Sequence, residues 1–358
     1  MDIKLTFAKI RGISLTEKVT FTRNLALIVK AGMSLPEGLE ILSRESSSPF
    51  FSLIIGQIKK DVIQGKEFSS GLARYPRVFN AFYISMVKTG EISGSLEGIL
   101  KNLATHMEKE RALRSKIIGA LIYPGIIVSV MLLVIIGTMT FVVPRLTEVF
   151  QNFNATLPLS TRILIAASNA MSEHFLLFIG SVIGFILLIW YIFFQTQRGK
   201  IAFSWLILHL PPFNNITKKL NTARIARTMQ TLVKSGVSIL DALTITADVL
   251  QNHYYKTMIL ESRKQVEKGK QLNEILRAYP ALYPPLATQL IAVGEQTGAL
   301  ELVLADLADF YEDAIDTITK NLSSVIEPVL MIIIGTLVGL LAISLLQPIY
   351  SLTSQINP

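Results

Sequence analysis

Displaced by 204 positions, the chain matches itself without a gap, so whatever fold it adopts must be built twice. Arg23 falls on Arg227, and Val29-Lys30-x-Gly32-x-Ser34 falls on Val233-Lys234-x-Gly236-x-Ser238. Gly65-Lys66 meets Gly269-Lys270 and Tyr75-Pro76 meets Tyr279-Pro280. Gly90-Glu91-x-x-Gly94-x-Leu96-Glu97 meets Gly294-Glu295-x-x-Gly298-x-Leu300-Glu301. A constant register of this kind marks a duplicated structural unit. It persists into apolar sequence, where Pro124 meets Pro328 and Pro144 meets Pro348. Each copy is therefore a polar domain together with the apolar segment that follows it.

The apolar segments decide the solvent. From Ile117 to Val143 about 27 residues pass without a charge, more than the roughly 20 that a helix needs to cross hydrocarbon. A helix of that length must tilt or bend, and Pro124, which lacks the amide donor, is the expected bend. A second span is predicted from Phe175 to Phe194, and a third begins at Glu327-Pro328 and runs to about Leu346. The run Ile201 to Phe213 is too short to cross and carries His209 and Pro211-Pro212, so it is expected to lie against the membrane surface or the next domain. Basic residues set the orientation. Lys109, Arg111, Arg114 and Lys116 precede the first span, Arg198 and Lys200 follow the second, and Lys320 precedes the third, whereas the link between the first two spans holds only Arg145 and Arg162. The N-terminus is expected inside and the C-terminus outside. Met1-Asp2-Ile3-Lys4-Leu5 opens without an apolar core or small-residue cleavage site, and no signal peptide is expected.

The predicted fold is an all-α integral membrane protein with two homologous cytoplasmic helical domains and three transmembrane helices. Its segments are an N-terminal stretch (1–14), cytoplasmic domain 1 (15–116), the first span (117–143), an extracytoplasmic link (144–174), the second span (175–194), an interfacial connector (195–216), cytoplasmic domain 2 (217–320), the third span (321–347) and an extracytoplasmic tail (348–358). Within each polar domain, Gly32 and Gly236 suit the left-handed position past a helix end, and Ser34-x-x-Glu37 or Ser238-x-x-Asp241 opens the next helix. Tyr75-Pro76 and Tyr279-Pro280 mark a break after which Phe79 or Tyr283 packs under the turn. Gly90 and Gly294 are expected to end a helix, with Ser93 or Thr297 capping the following one and Glu97 or Glu301 at its positive end. Gly65-Lys66 and Gly269-Lys270 fall within a helical pattern. The last helix carries the stripe Leu96, Ile99, Leu100, Leu103, Met107, mirrored by Leu300, Val303, Leu304, Leu307, Tyr311.

Catalytic and ligand-binding constellations are missing from the sequence. With no cysteine there are no thiolate metal sites, disulfides or cysteine nucleophiles. His106, His174, His209 and His253 lie in separate segments without metal-ligand spacing, so neither metal nor cofactor is expected. The Gly-Lys pairs lack the rest of a phosphate-binding loop, and the Gly-x-x-x-Gly elements follow no strand, so no ATPase or other enzyme is predicted. The net charge of +8 is scattered among carboxylates without a basic stripe and is accounted for by cytoplasmic-side Lys and Arg; direct nucleic-acid binding is not expected. Three polar features remain as candidates for partner contact or coupling. Glu91 and Glu295 either satisfy free amides near a turn or face a partner. Glu327, beside Pro328 at the inner mouth of the third span, either snorkels or couples. Arg23 and Arg227 are read as salt-bridged within their domains more readily than as binding residues.

Phe21-Thr22-Arg23-x-Leu25-Ala26 followed by Lys30-Ala31-Gly32-x-Ser34-Leu35, the two Gly-Glu-x-[Ser/Thr]-Gly-x-Leu elements, Lys116 to Pro124 and Glu327-Pro328 together resemble the inner-membrane platform proteins of type II secretion and type IV pilus machines. The resemblance covers nearly the whole chain. It implies cytoplasmic bundles of about six helices each, and an oligomeric platform on which a hexameric assembly or retraction ATPase acts while pilins or pseudopilins leave or re-enter the membrane beside other inner-membrane assembly proteins. In that setting the junctions Lys116 to Pro124, including Tyr123, and Lys320 to Pro328 become transmission points. The alternatives are a small membrane transporter, for which the spans offer mostly Ser, Thr and Gly, and a membrane-anchored adaptor or sensor.

Overall fold

The computed structural model describes residues 13–152, 159–173, 175–211 and 213–356. His174 and the Met1 to Leu5 stretch that bears on a signal peptide lie outside the described residues. No strand occurs among the described residues.

Repeat one contains α1 (Leu15–Lys30), α2 (Leu35–Glu45), α3 (Pro49–Ile63), α4 (Phe68–Ala73), α5 (Ala81–Ile92) and the start of α6 (Leu96–Gly137). A π-helical turn (Thr138–Val142), α7 (Val143–Asn152), α8 (Leu159–Glu173), α9 (Phe175–Gln195) and α10 (Gln197–His209) follow. Repeat two contains α11 (Phe213–Lys234), α12 (Ile239–Val249), α13 (His253–Val266), α14 (Leu272–Arg277), α15 (Pro285–Thr297) and the start of α16 (Leu300–Ile356). The chain divides into two units: one holds the residues up to Ser115 together with Lys200–Asp316, the other Lys116–Gly199 together with Thr317–Pro358.

In the first unit the helix boundaries follow from local chemistry. Ser34 accepts from the Glu37 amide while Glu37 reaches back to the Ser34 amide, a reciprocal cap that satisfies two free donors of α2. On α12 Ser238 accepts from the Asp241 amide at 3.2 Å, while the Asp241 carboxylate accepts from the Ser238 hydroxyl instead of the Ser238 amide. Gly32 and Gly236 have φ of +80° and +81°, the left-handed conformation that ends α1 and α11.

Three sequence expectations need correction here. Gly65 and Gly269 lie past the ends of α3 and α13 with φ of +79° and +84°, where the following Lys66 and Lys270 amides close the turn onto Asp61 and Gln265 carbonyls. Gly90 and Gly294 do not end helices but lie buried within α5 and α15. Their missing Cβ admits the next helix, since a methyl group on Gly90 would stand 3.1 Å from both Ile99 Cβ and the Leu96 backbone, and one on Gly294 3.1 Å from Leu300 Cα. The helix-ending glycines are Gly94 and Gly298, at φ of +66° and +71°. Ser93 and Thr297 accordingly bond backward, to the carbonyls of Thr89 and Val293, instead of capping the helix ahead.

Each repeat closes around an aromatic centre. In repeat one Phe21 meets Phe51 edge-on at 5.2 Å, Phe79 lies 4.9 Å from Tyr83, and the buried Tyr83 hydroxyl is 3.0 Å from Thr22 Oγ1. In repeat two Tyr255 and Tyr283 fill the positions of Phe51 and Phe79, and Tyr255 donates to the Leu282 carbonyl at 2.6 Å. Residues of the apolar stripe, Leu100, Leu103, Leu304 and Leu307, are fully enclosed. The connector helix α10 lies on repeat two, where Ser204 accepts from the His253 amide at 3.2 Å.

The second unit carries the apolar helices. Among the described residues two helices are long and apolar enough to cross a membrane, Leu96–Glu148 and Leu300–Ser344; the helices Gly180–Gln195 and Gln197–His209 raise this to three if they are taken as one broken span. Pro124, the expected bend, sits inside α6, which continues as helix past it, and a π turn lies before Pro144. Pro144 has no amide to give to the preceding turn, which leaves a carbonyl in need of a donor. The buried Ser168 of α8 supplies it, donating to the Met139 carbonyl at 2.5 Å, and Thr161 donates to the Ser344 carbonyl at 2.7 Å. Side-chain donors of this kind are what irregular backbone requires in hydrocarbon.

Candidate functional site

The candidate residues fall into three groups. Glu91, near the end of α5, turns its carboxylate onto the start of α4, accepting from the Phe68 amide and from the Ser69 amide at 2.9 Å. Glu295 does the same from α15, accepting from the Leu272 and Asn273 amides at 2.7 and 2.9 Å and from Asn273 Nδ2. Neither α4 nor α14 has a side-chain cap of its own, so a carboxylate from another helix satisfies the free donors and opposes the positive helix end. The amides held are those of a helix 22 and 23 residues away, not those of the adjacent turn.

Arg23 and Arg227 also share a partner position. Arg23 stands 3.7 Å from Glu108, and Arg227 lies 2.9 Å from Glu312, the residue one repeat on. Their surroundings differ. The Arg23 side chain is 67% exposed, whereas that of Arg227 is 14% exposed and also bonds Asp309 at 2.5 Å. The difference comes from repeat one itself, whose last helix lies over this part of repeat two. Lys109 reaches Asp309 and Glu312 at 3.1 and 3.5 Å, Glu110 receives Arg224 at 2.7 Å, and His106 Nδ1 lies 3.2 Å from Thr231 Oγ1. His106 is stacked against Phe82 at 4.3 Å, and burial pushes its pKa down to about 4, with Glu110 opposing and Arg227 and Arg224 adding to the fall. This contact between repeats was not foreseen from the sequence. Its signal is the set of positions at which the two copies differ, with Arg224, Thr228 and Thr231 standing where repeat one has Thr20, Asn24 and Leu27.

The third group belongs to the second unit. Lys116 and Tyr123 are exposed and Pro124 is buried on α6; Glu327 is half-buried and Pro328 exposed on α16. Each pair occupies the same register position on its own helix. Among the described residues no group of three or more His, Asp or Glu side chains is disposed to hold a metal.

The sequence model of the family described as "Type II secretion system (T2SS), protein F" matches residues 21–144 and again 225–348, two blocks displaced by the same 204 positions as the internal repeat. Curated relatives extend the match beyond both blocks. A type IV pilus assembly protein PilC of Thermus thermophilus is 34% identical over 97% of this chain and 85% of its own length. PilC of Myxococcus xanthus is 33% identical over 100% and 85%. A type II secretion system protein F of Aeromonas hydrophila is 32% identical over 97% and 89%. The chain belongs to the type II secretion system protein F family.

Proposed function

We propose that this chain is the inner-membrane platform of a type IV pilus or type II secretion machine, coupling a cytoplasmic ATPase to the movement of pilins or pseudopilins. Two six-helix cytoplasmic bundles and three membrane spans make up the working part, with the N-terminus inside and the C-terminus outside. The platform is a homo-oligomer beside other inner-membrane assembly proteins, and it is not itself an enzyme. One observation carries the reading: the last helix of each repeat runs without interruption into an apolar helix, while the two repeats pack into a single unit. Displacement applied to the packed repeats has two continuous helical routes toward lipid, through Lys116, Tyr123 and Pro124 on α6 and through Glu327 and Pro328 on α16. Short, capped helices let such a domain transmit displacement instead of absorbing it as local unfolding.

The test is purification in mild detergent from cells that make the whole machine. A hexameric ATPase and a pilin-like protein should accompany the chain, and Glu327→Ala, inserted and folded normally, should reduce filament assembly or secretion. If neither protein is retained, and if cells lacking the chain assemble filaments and secrete normally, the platform reading fails.

A further inference from the structure

The contact between repeats has a donor side and an acceptor side, and because the chain is duplicated each side exists twice. The donor side of repeat one, Phe82 and His106, is 3% and 8% exposed because it lies on repeat two. The same positions in repeat two are Leu286 and Phe310, which are 45% and 53% exposed. The acceptor side of repeat two includes Thr231, 4% exposed; its counterpart in repeat one is Leu27, 57% exposed. Repeat one thus keeps an open groove of about 290 Å³ between α1 and α6, lined by Arg23, Leu27, Lys30 and Lys101. One intramolecular contact leaves one donor face and one acceptor face without an occupant among the described residues.

We infer that the Phe310 face of one copy docks into the Leu27 groove of the next, repeating between chains the contact that joins the two repeats within a chain. This names the interface of the homo-oligomer proposed above and rests on that reading. The occupant is a second copy because the open groove has the backbone template of one that is already filled by a homologous helix of the same protein. Two charge pairs support the docking, while the Lys109–Glu312 pair becomes two carboxylates and the Glu110–Arg224 pair is lost. Asn102 of the donor helix shares a cleft with Lys234; their counterparts are Asp306 and Lys30, so the docked copy sets a carboxylate against an ammonium. Lys109 lines the same cleft as Arg227 and pairs with Glu312 at 3.5 Å; the counterparts are Asp313, Arg23 and Glu108, so the docked aspartate meets Arg23 and also the carboxylate that Arg23 already holds. Asp306, Asp313, Lys30 and Arg23 are all exposed. Such a contact is heterologous, with different patches meeting, and so generates a ring when the rotation closes and an open chain when it does not.

The protein has no cysteine, which makes cross-linking in native membranes direct. Leu27 and Phe310 occupy the positions of Thr231 and His106, whose side chains touch, and both are exposed, so Leu27→Cys and Phe310→Cys leave the core intact. The double variant should give a ladder of cross-linked species, the two single variants expressed together should give dimers only, and neither alone should cross-link. Asp306→Lys should lower the yield about threefold, with Lys30→Glu restoring it, as for an exposed ion pair. Either single variant cross-linking alone as strongly would mean a two-fold symmetric interface and would overturn the inference. So would an oligomeric native mass in detergent without the Leu27–Phe310 cross-link, while the homo-oligomer reading would stand. A monomeric native mass would overturn both.

Discussion

Glu91 and His106 show how one side chain acts at a distance in sequence. Glu91 was visible as a polar residue between two glycines, but its partners are backbone amides of another helix, which no local pattern discloses. Glu91→Ala leaves two amides without an acceptor and should cost about 1–3 kcal/mol, read as faster hydrogen exchange across Phe68–Ala73 and little change at α14. Charge reversal there would remove the cap as well as any partner contact, so ATPase binding is better probed at exposed positions. His106 gives a pH signature. Its folded pKa of about 4 lies below the ordinary 6.5, so the unfolded chain binds the extra proton between those values. Stability is therefore full above about pH 6.5 and declines as the pH falls toward 4, by at most about 3 kcal/mol. His106→Phe, which copies the residue found at position 310, should flatten that decline in thermal unfolding of the detergent-solubilised chain; an unchanged profile would assign the acid sensitivity to other groups. Thr231 stays satisfied in that variant because its hydroxyl also donates to the Arg227 carbonyl.

At the scale of elements, the two glycines of each Gly-Glu-x-x-Gly segment do different work. Gly94 needs its backbone conformation and has open space around a Cβ, whereas Gly90 has ordinary helical geometry and no space. Gly94→Ala should cost about 1–2 kcal/mol through backbone strain. Gly90→Ala should cost about 1–3 kcal/mol by forcing α5 and α6 apart. In an Ile99→Ala background, which removes Ile99 Cγ1 but keeps its Cβ and the Leu96 backbone, Gly90→Ala should lower the melting temperature less than it does in the parent chain, but not leave it unchanged. Helix existence was legible because caps, breaks and apolar stripes recur in register. Which glycine ends the helix was not, because both positions satisfy the same spacing rule and only packing against Ile99 separates them. The same holds for Pro124 and Pro144. Each lacks an amide and so drops one ladder bond, yet α-helix is kept on both sides of the first and gives way to a π turn before the second, where Ser168 supplies a donor.

For the whole molecule, duplication and charge asymmetry foretold a two-copy helical protein with membrane spans, and the apolar helices and the matched family agree with that outline. The docking of one copy on the other was hidden, since it depends on the residues at which the copies diverged. Topology remains the sharpest test at this scale. Phosphatase fusions near Arg162 and at the C-terminus should be active, and fusions after Lys66 and Lys270 inactive; activity at only one of the latter two would separate repeats that pack together. The π turn carries a final consequence. It holds one residue more than a regular turn, so the helix beyond Val142 keeps its rotational phase only because the surplus is looped out there. Deleting one residue within Thr138–Val142 should leave the side chains of α7 pointing as before, whereas a deletion at Val128 would swing them by about 100°. The stretch thus works as an indel-tolerant joint, where chain length can change without turning the following helix about its own axis.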